Sequence, residues 1–398
     1  MELEERLLKL EEHLLENNHI RIDTKNPVHN ATVRWVYQGE KEDSEIDVAV
    51  KVFQIPVERG DQRDHYMADV RREIKIYENI SRKQNPHIVP CLGGLVLEKL
   101  DFAYIVMNWM PESLQQRLQT GNLTVEESIE YTIQILEGLA FIHGQTNGPG
   151  IYVHGDPKPS NIYIDDGLIK LGDFGHSRIV LPIGESSHGR FIGEIQTRAD
   201  QRYEPPWDTK RAEAKPPLAY LPRVESDIWR TAEVFVEMLG IMKGREPNWQ
   251  RVPEIYRSDL ESLKKDLLGA DEPEQMMPNA EFQSRLRYIK NIPTVIDATE
   301  TVNGIVSSPA DAWLSPEQIR QLYSQRDQVG SLIGAEHAKT QGLTAMIDER
   351  RSADTALLTS KLQYWQGEPK EATTDIATID GTLAQITEAM EVNKAWQH

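Results

Sequence analysis

Cysteine is almost absent from this sequence: Cys91 is the single one in 398 residues. One thiol excludes an intramolecular disulfide and a cysteine-rich zinc centre. No uninterrupted apolar run approaches the ~20 residues that a bilayer-spanning helix requires. Positive charge is also in deficit, with 44 Lys and Arg against 63 Asp and Glu and a formal charge of −19. That balance opposes nonspecific attraction to nucleic acid or to an anionic lipid surface. The N-terminus mixes Glu and Leu from its second residue, unlike a secretory signal, which opens with positive charge and an apolar stretch. Together these lacks predict a soluble, cytoplasmic protein whose main partner is neither nucleic acid nor membrane. At ~100 to 200 residues per domain, the length predicts two or three domains.

What is present divides the chain by pattern. Leu3, Leu7, Leu10 and Leu14 alternate spacings of four and three, with Leu8 and Leu15 widening the stripe, so residues 1–22 should hold an amphipathic helix docked on its own domain. The β-branched and aromatic runs 32–37 and 47–53 predict paired strands with a turn from Gly39 to Ser44. Met67, Val70, Ile74, Tyr77 and Ile80 predict a helix over 66–81, and the runs 94–98 and 102–109 predict two further strands. Beyond Pro111 the pattern turns helical. Thr124 followed three residues later by Glu127 has the spacing of a capping box ahead of Ile129 to Ile142. Residues 182–223 show no steady period and predict a long loop. Near the C-terminus Ser315-Pro316-Glu317-Gln318 predicts a helix start. Apolar positions from Leu343 to Leu362 and from Ile376 to Met390 predict further packed helices, punctuated by Gly367 and Pro369.

The most informative stretch is Tyr152-Val153-His154-Gly155-Asp156-Pro157-Lys158-Pro159-Ser160-Asn161, followed by Asp173-Phe174-Gly175. It resembles the catalytic loop and the metal-binding Asp-Phe-Gly element of eukaryotic-type serine/threonine protein kinases. Four more segments agree in order. Val48-Ala49-Val50-Lys51 matches the strand that carries the family's lysine. Arg72-Glu73-Ile74 supplies a glutamate on the following helix, Ile105 to Met110 resembles the hinge between lobes, and Ser226-Asp227-Ile228-Trp229 resembles the helix that anchors the catalytic loop.

The resemblance implies an α+β, two-lobed kinase-like fold. A small antiparallel sheet plus one helix would occupy residues 23–111, a larger helical lobe 112–305, and an α-helical region 306–398. ATP would lie between the lobes, against Met107 and Met110 of the hinge, with Lys51 on its phosphates and Glu73 orienting that ammonium. Asn161 and Asp173 would hold Mg²⁺. Asp156 would accept the proton of an attacking hydroxyl, and Lys158 would neutralise the phosphoryl group in flight. The expected activity is phosphoryl transfer to Ser/Thr hydroxyls of a protein substrate, a basic one given the −19 charge. The C-terminal helices are a candidate surface for a regulatory partner.

Departures from the family pattern carry their own expectations. Where a glycine-rich phosphate loop is expected, His29, Ala31 and Arg34 stand at the glycine positions. An arginine on a strand is expected to be solvated, with reach to a phosphate the alternative. Gly155 replaces the arginine that pairs with a loop phosphate, so activity is expected without phosphorylation of Ser186, Ser187 or Thr197. Trp207 replaces a glutamate that makes a buried ion pair, so the larger lobe must be locked differently. No Asp-Pro-x-x-Arg-Pro signature follows, and residues 240–310 match weakly. His-Gly-Asp also occurs in aminoglycoside and choline phosphotransferases, but Lys158-Pro159 and the full Asp-Phe-Gly favour the protein-kinase branch. A nucleotide-regulated scaffold is the other reading, and the retained Lys51, Glu73, Asp156, Asn161 and Asp173 argue against it.

Overall fold

The computed structural model describes residues 2–180 apart from 32, 43, 45, 59, 122, 148 and 149, then 201–214, 223–240, 249, 252–306 and 315–333, with 345, 349, 352 and 356 beyond. The chain divides into two compact units, Met1–Gln283 and Ser284–His398.

The first unit opens with helix α1 (Leu3–Asn18) and strands β1 (Ile20–Ile22), β2 (His29–Ala31), β3 (Arg34–Lys41) and β4 (Asp47–Gln54). Helix α2 (Asp61–Ser81) follows, then β5 (Cys91–Leu97) and β6 (Phe102–Asn108). The sheet is antiparallel in the order β1-β3-β4-β6-β5, with β2 on β3. Strand β4 is central, and successive side chains of a strand point to opposite faces. Val48, Val50 and Val52 therefore enter one core with Leu10 and Leu14 of α1, Trp35, Tyr37, Phe102 and Tyr104. Ala49, Lys51 and Phe53 take the other face.

Helix α1 thus covers the sheet with a narrower stripe than its leucines suggest: Leu10 and Leu14 are buried, whereas Leu8 and Leu15 are exposed. Arg6 of α1 reaches Asp101 at 3.2 Å, and Arg63 of α2 reaches the same carboxylate at 2.8 Å. Gly39 is not in the turn. It pairs with Val48 inside β3, and a Cβ there would lie 2.7 Å from Ile22 Cγ2 and 2.8 Å from the Arg21 carbonyl. The glycine admits β1, and the turn falls between Lys41 and Asp47. Helix α2 begins at Asp61 rather than residue 66 because its first turn is polar and hides from apolar periodicity; Asp61 and Asp64 suit the positive end of the helix dipole.

The lower part of this unit contains β7 (Glu112–Ser113), α3 (Leu114–Thr120), α4 (Val125–Gly144), β8 (Thr146–Asn147), β9 (Gly150–Val153), β10 (Ile162–Asp165), β11 (Leu168–Leu171) and β12 (Arg178–Val180). Then come α5 (Pro206–Glu213), α6 (Val224–Met238) and α7 (Glu254–Leu268). Thr124 caps α4 as its sequence predicts: Glu127 N donates to Thr124 Oγ1 at 3.0 Å and Thr124 N to Glu127 Oε2 at 2.8 Å. Helix α6 is buried almost all round, which makes it a fixed post for the loops above it. The long loop expected over 182–223 contains α5. Residues 181–200 and 215–222 lie outside the described residues, as do Ser186, Ser187 and Thr197. The small sheet with one helix above a helical part fits the two-lobed fold expected from the sequence.

Helix α8 (Asn279–Lys290) runs across the division between units. In the second unit α9 (Ile292–Val306) and α10 (Pro316–Ile333) pack together. Ser315 and Gln318 cap α10 reciprocally, at 2.8 and 3.2 Å. The apolar stretches predicted around Leu343 to Leu362 and Ile376 to Met390 lie outside the described residues, apart from the isolated positions named above. Among the described residues, no helix is long and apolar enough to cross a membrane.

Candidate active site

Lys51 leaves β4 on the face away from α1 and meets two carboxylates. Its Nζ lies 2.8 Å from Glu73 Oε1 on α2 and 2.7 Å from Asp173 Oδ1. Burial disfavours the Lys51 charge, but Asp173 and Glu73 more than compensate and hold its pKa above the ordinary lysine value. Burial likewise works against the Asp173 carboxylate, yet Lys51 beside it and the Gly175 amide hold it well below the usual range. Asp173 adopts a left-handed backbone, φ 58°, and its Oδ1 accepts from Gly175 N at 3.2 Å.

The loop between β9 and β10 is pinned from below. Asp227 of α6 accepts from His154 N and Gly155 N at 2.8 Å each, and lies 2.9 Å from His143 Nε2. Burial raises the Asp227 pKa, but His143, His154 and Arg230 outweigh it and keep the carboxyl below its ordinary value. Gly155 has φ +85°, and a Cβ there would lie 2.6 Å from the His176 carbonyl. The position has no room for the arginine of the family pattern.

Above this anchor Asp156 Oδ2 is held by Lys158 Nζ at 2.7 Å and Asn161 Nδ2 at 3.0 Å. The other oxygen, Oδ1, is buried with no hydrogen-bond partner among the described residues. A buried acceptor in that state is costly unless a donor reaches it, and a hydroxyl is a donor of the right chemistry. The Tyr77, Phe174 and His154 rings pack in sequence at tilted angles, with centroids 4.7 and 5.0 Å apart, and connect α2 to the loop.

A cleft of about 610 Å³ lies over these groups, within the ~300 to 1,000 Å³ of small-molecule sites. Lys51, Glu73, Met107, Met110, Lys158, Asn161 and Asp173 all line it. Asp156 lies beside it through Lys158 and Asn161. The expected contact residues are therefore together, and Asn161 and Asp173 are oxygen donors suited to a hard divalent cation. Among the described residues no group of three or more His, Cys, Asp or Glu could hold a metal; a Mg²⁺ site needs only one or two carboxylates when phosphates complete it. Arg34, expected to be solvated, also lines the cleft.

Sequence reasoning missed the lock beneath α5. Trp207 Nε1 donates to Ser226 Oγ at 3.0 Å, Ser226 Oγ donates to Asp208 Oδ2 at 3.1 Å, and Arg230 Nη2 lies 3.4 Å from that same oxygen. The ion pair has moved one residue along, from the position of Trp207 to Asp208, and its partner is on α6. Burial pushes the Asp208 carboxyl up to about 6, with Arg230 and Ser226 opposing. A carboxylate next to the replaced position was the available signal, but its partner is 22 residues away and only the fold brings it close.

The sequence matches the profile described as protein kinase domain over residues 32–240. It is 35% identical over 122 residues to mitogen-activated protein kinase 4 of Homo sapiens, covering 29% of this chain and 20% of the relative. To mitogen-activated protein kinase HOG1 of Hortaea werneckii it is 28% identical over 224 residues, 56% of this chain and 53% of that one. To the probable serine/threonine-protein kinase pknA2 of Bifidobacterium longum it is 30% identical over 172 residues, 42% and 21% respectively. The chain spans about half or less of the length of these curated relatives. The family profile nevertheless takes in just over half of the chain, from the hairpin over the cleft to the end of α6, and the chain belongs to the protein kinase family.

Proposed function

We propose that this chain is an ATP- and Mg²⁺-dependent protein kinase that phosphorylates Ser/Thr hydroxyls. The observation that carries the reading is the unpartnered, buried Oδ1 of Asp156 beside a cleft whose cations and carboxylates are already in register. Bound Mg-ATP would supply the γ-phosphoryl group and the divalent charge that offsets it. Lys51, steadied by Glu73, would hold phosphate oxygens, and Asn161 with Asp173 would hold the metal. Asp156 Oδ1 would accept the proton of the protein hydroxyl as its oxygen forms the new P–O bond and the bond to ADP breaks. Lys158 would stay on Asp156 and on the transferred group, an arrangement that favours serine and threonine. The protein would act in the cytoplasm, its −19 charge favouring basic substrates, and its C-terminal helices would meet a regulatory partner.

The test is transfer from labelled Mg-ATP to a general protein substrate and to the chain itself, comparing wild type with Asp156→Asn. Phosphoserine or phosphothreonine formed by wild type, and lost by about 10² to 10⁴ in the variant, supports the reading. Nucleotide binding without transfer in either protein favours a scaffold instead, and transfer to aminoglycoside or choline alone favours a small-molecule phosphotransferase.

A further inference from the structure

The hairpin over the cleft carries a cation that the mechanism above leaves unused. Strands β2 and β3 pair from His29↔Val36 to Ala31↔Arg34, and on its other side Arg34 stands opposite Phe53 of β4. The hairpin is tied down, with Val28 N donating to the Val36 carbonyl at 2.8 Å and Gln54 N to the Val33 carbonyl at 3.0 Å. From this anchored start of β3, Arg34 enters the cleft with Lys51, Glu73 and Asp173. Its guanidinium carbon lies 5.8 Å from the Phe53 ring centroid, and Lys51 Nζ lies 5.3 Å from the same centroid. Both distances are within the ~6 Å over which a ring face attracts a cation.

The two cations differ in what they already hold. Lys51 is committed to Glu73 and Asp173 at contact distance. Arg34 rests on a fully buried ring and beside Tyr66. Burial opposes the Arg34 charge, but Glu73, Tyr66 and Asp173 keep it firmly protonated. A planar guanidinium offers a fork of donors that matches phosphate oxygens better than an ammonium does.

We infer that Arg34 is a phosphate-binding residue of this cleft. Its side-chain fork supplies donors that a glycine-rich hairpin would supply from its backbone, so the site selects nucleotides by their phosphates. The inference rests on the nucleotide reading above and adds the group that discriminates among nucleotides.

The experiment is calorimetric titration of the full chain with Mg-ATP, Mg-ADP and adenosine, for wild type, Arg34→Gln and Arg34→Lys, each checked for folding by circular dichroism. Arg34→Gln should weaken Mg-ATP by about ten- to a hundredfold and adenosine by less than about threefold, as expected for lost hydrogen bonds to a charged ligand. Arg34→Lys should recover part of the Mg-ATP affinity. Equal losses for Mg-ATP and adenosine would make Arg34 a structural residue and overturn the inference. Tighter Mg-ATP binding by Arg34→Gln would overturn it too, since Arg34 would then be screening the site. If Arg34→Gln does not fold, Arg34→Lys decides: a loss confined to phosphorylated ligands supports the role, and unchanged affinities reject it. Unchanged Mg-ATP binding in the variants sinks the phosphate role alone, whereas a wild type that binds no nucleotide sinks the nucleotide reading and this inference together.

Discussion

The cleft and the anchor below it are both buried and both charged, yet they use their charges differently. In the anchor, both oxygens of Asp227 accept backbone N–H groups at 2.8 Å, and His143 adds a third contact. Beside the cleft, one oxygen of Asp156 has no partner among the described residues, and within it the side chain of Asp173 is 35% exposed while it holds Lys51. A carboxylate whose acceptor capacity is used by the protein positions a loop; one with capacity left over can receive a ligand. The contrast separates residues that place the loop from residues that, in the proposed reaction, would perform the chemistry.

Substituting Asp227 by Ala should have the largest effect. It orphans buried donors, each worth about 1 to 3 kcal/mol, so the melting temperature should fall sharply and transfer should disappear together. A variant that melts like wild type would abolish the distinction between anchor and cleft. Lys51→Met should instead lower transfer by about 10² or more, with a clear loss of nucleotide affinity and a smaller change in melting than Asp227→Ala, because in the proposed reaction the lysine would stabilise phosphate charge. Equal melting shifts for the two variants would break the comparison from the other side.

Gly155→Ala should come next. At φ +85°, with the His176 carbonyl 2.6 Å from the new Cβ, it should cost about 1 to 3 kcal/mol in thermal unfolding and reduce transfer. Gly155→Arg, which restores the family residue, should do no better; a stable and active Gly155→Arg would show that the glycine is not required by the close approach.

The smallest effects are in pH, and their signs are opposite. Asp173 has a depressed pKa when folded, so its contribution to stability is fully present above the ordinary 3.8 and is lost only as pH falls through the lower folded value. Asp208 is raised to about 6, so the folded state holds a proton longer than the unfolded one, and stability falls as pH rises from 3.8 through about 6. Melting curves from pH 3 to 8 should therefore show the difference between wild type and Asp208→Asn changing between about pH 4 and 6 and flat above. The corresponding difference for Asp173→Asn should be flat over that window and change only below it. A coincident window for both would remove the contrast.

Much of the site was legible in order and spacing. Lys51 could be placed because Val48-Ala49-Val50-Lys51 resembles the family's strand, and Glu73 because it stands on the amphipathic helix that follows, where the family pattern has its glutamate. The candidate catalytic loop was legible because its residues are close together in the chain. Gly39 was misread because a glycine between two strands looks the same whether it turns the chain or admits a third strand. The start of α2 and the outward position of Leu8 and Leu15 were missed for a related reason: periodicity reports a face, not what covers it.

The amino-acid sequence by itself determined the local units and their family: β-branched and aromatic runs marked the strands, capping residues set helix starts, and contiguous motifs named the fold. Tertiary structure alone decided which distant groups meet. It brought Arg230 to Asp208, turned Arg34 into the cleft instead of solvent, made Gly155 obligatory through the His176 carbonyl, and left one oxygen of Asp156 without a partner among the described residues. The physical reason is range. Propensity and periodicity act over a few residues, whereas burial, ion pairing and steric exclusion depend on neighbours that only the folded chain supplies.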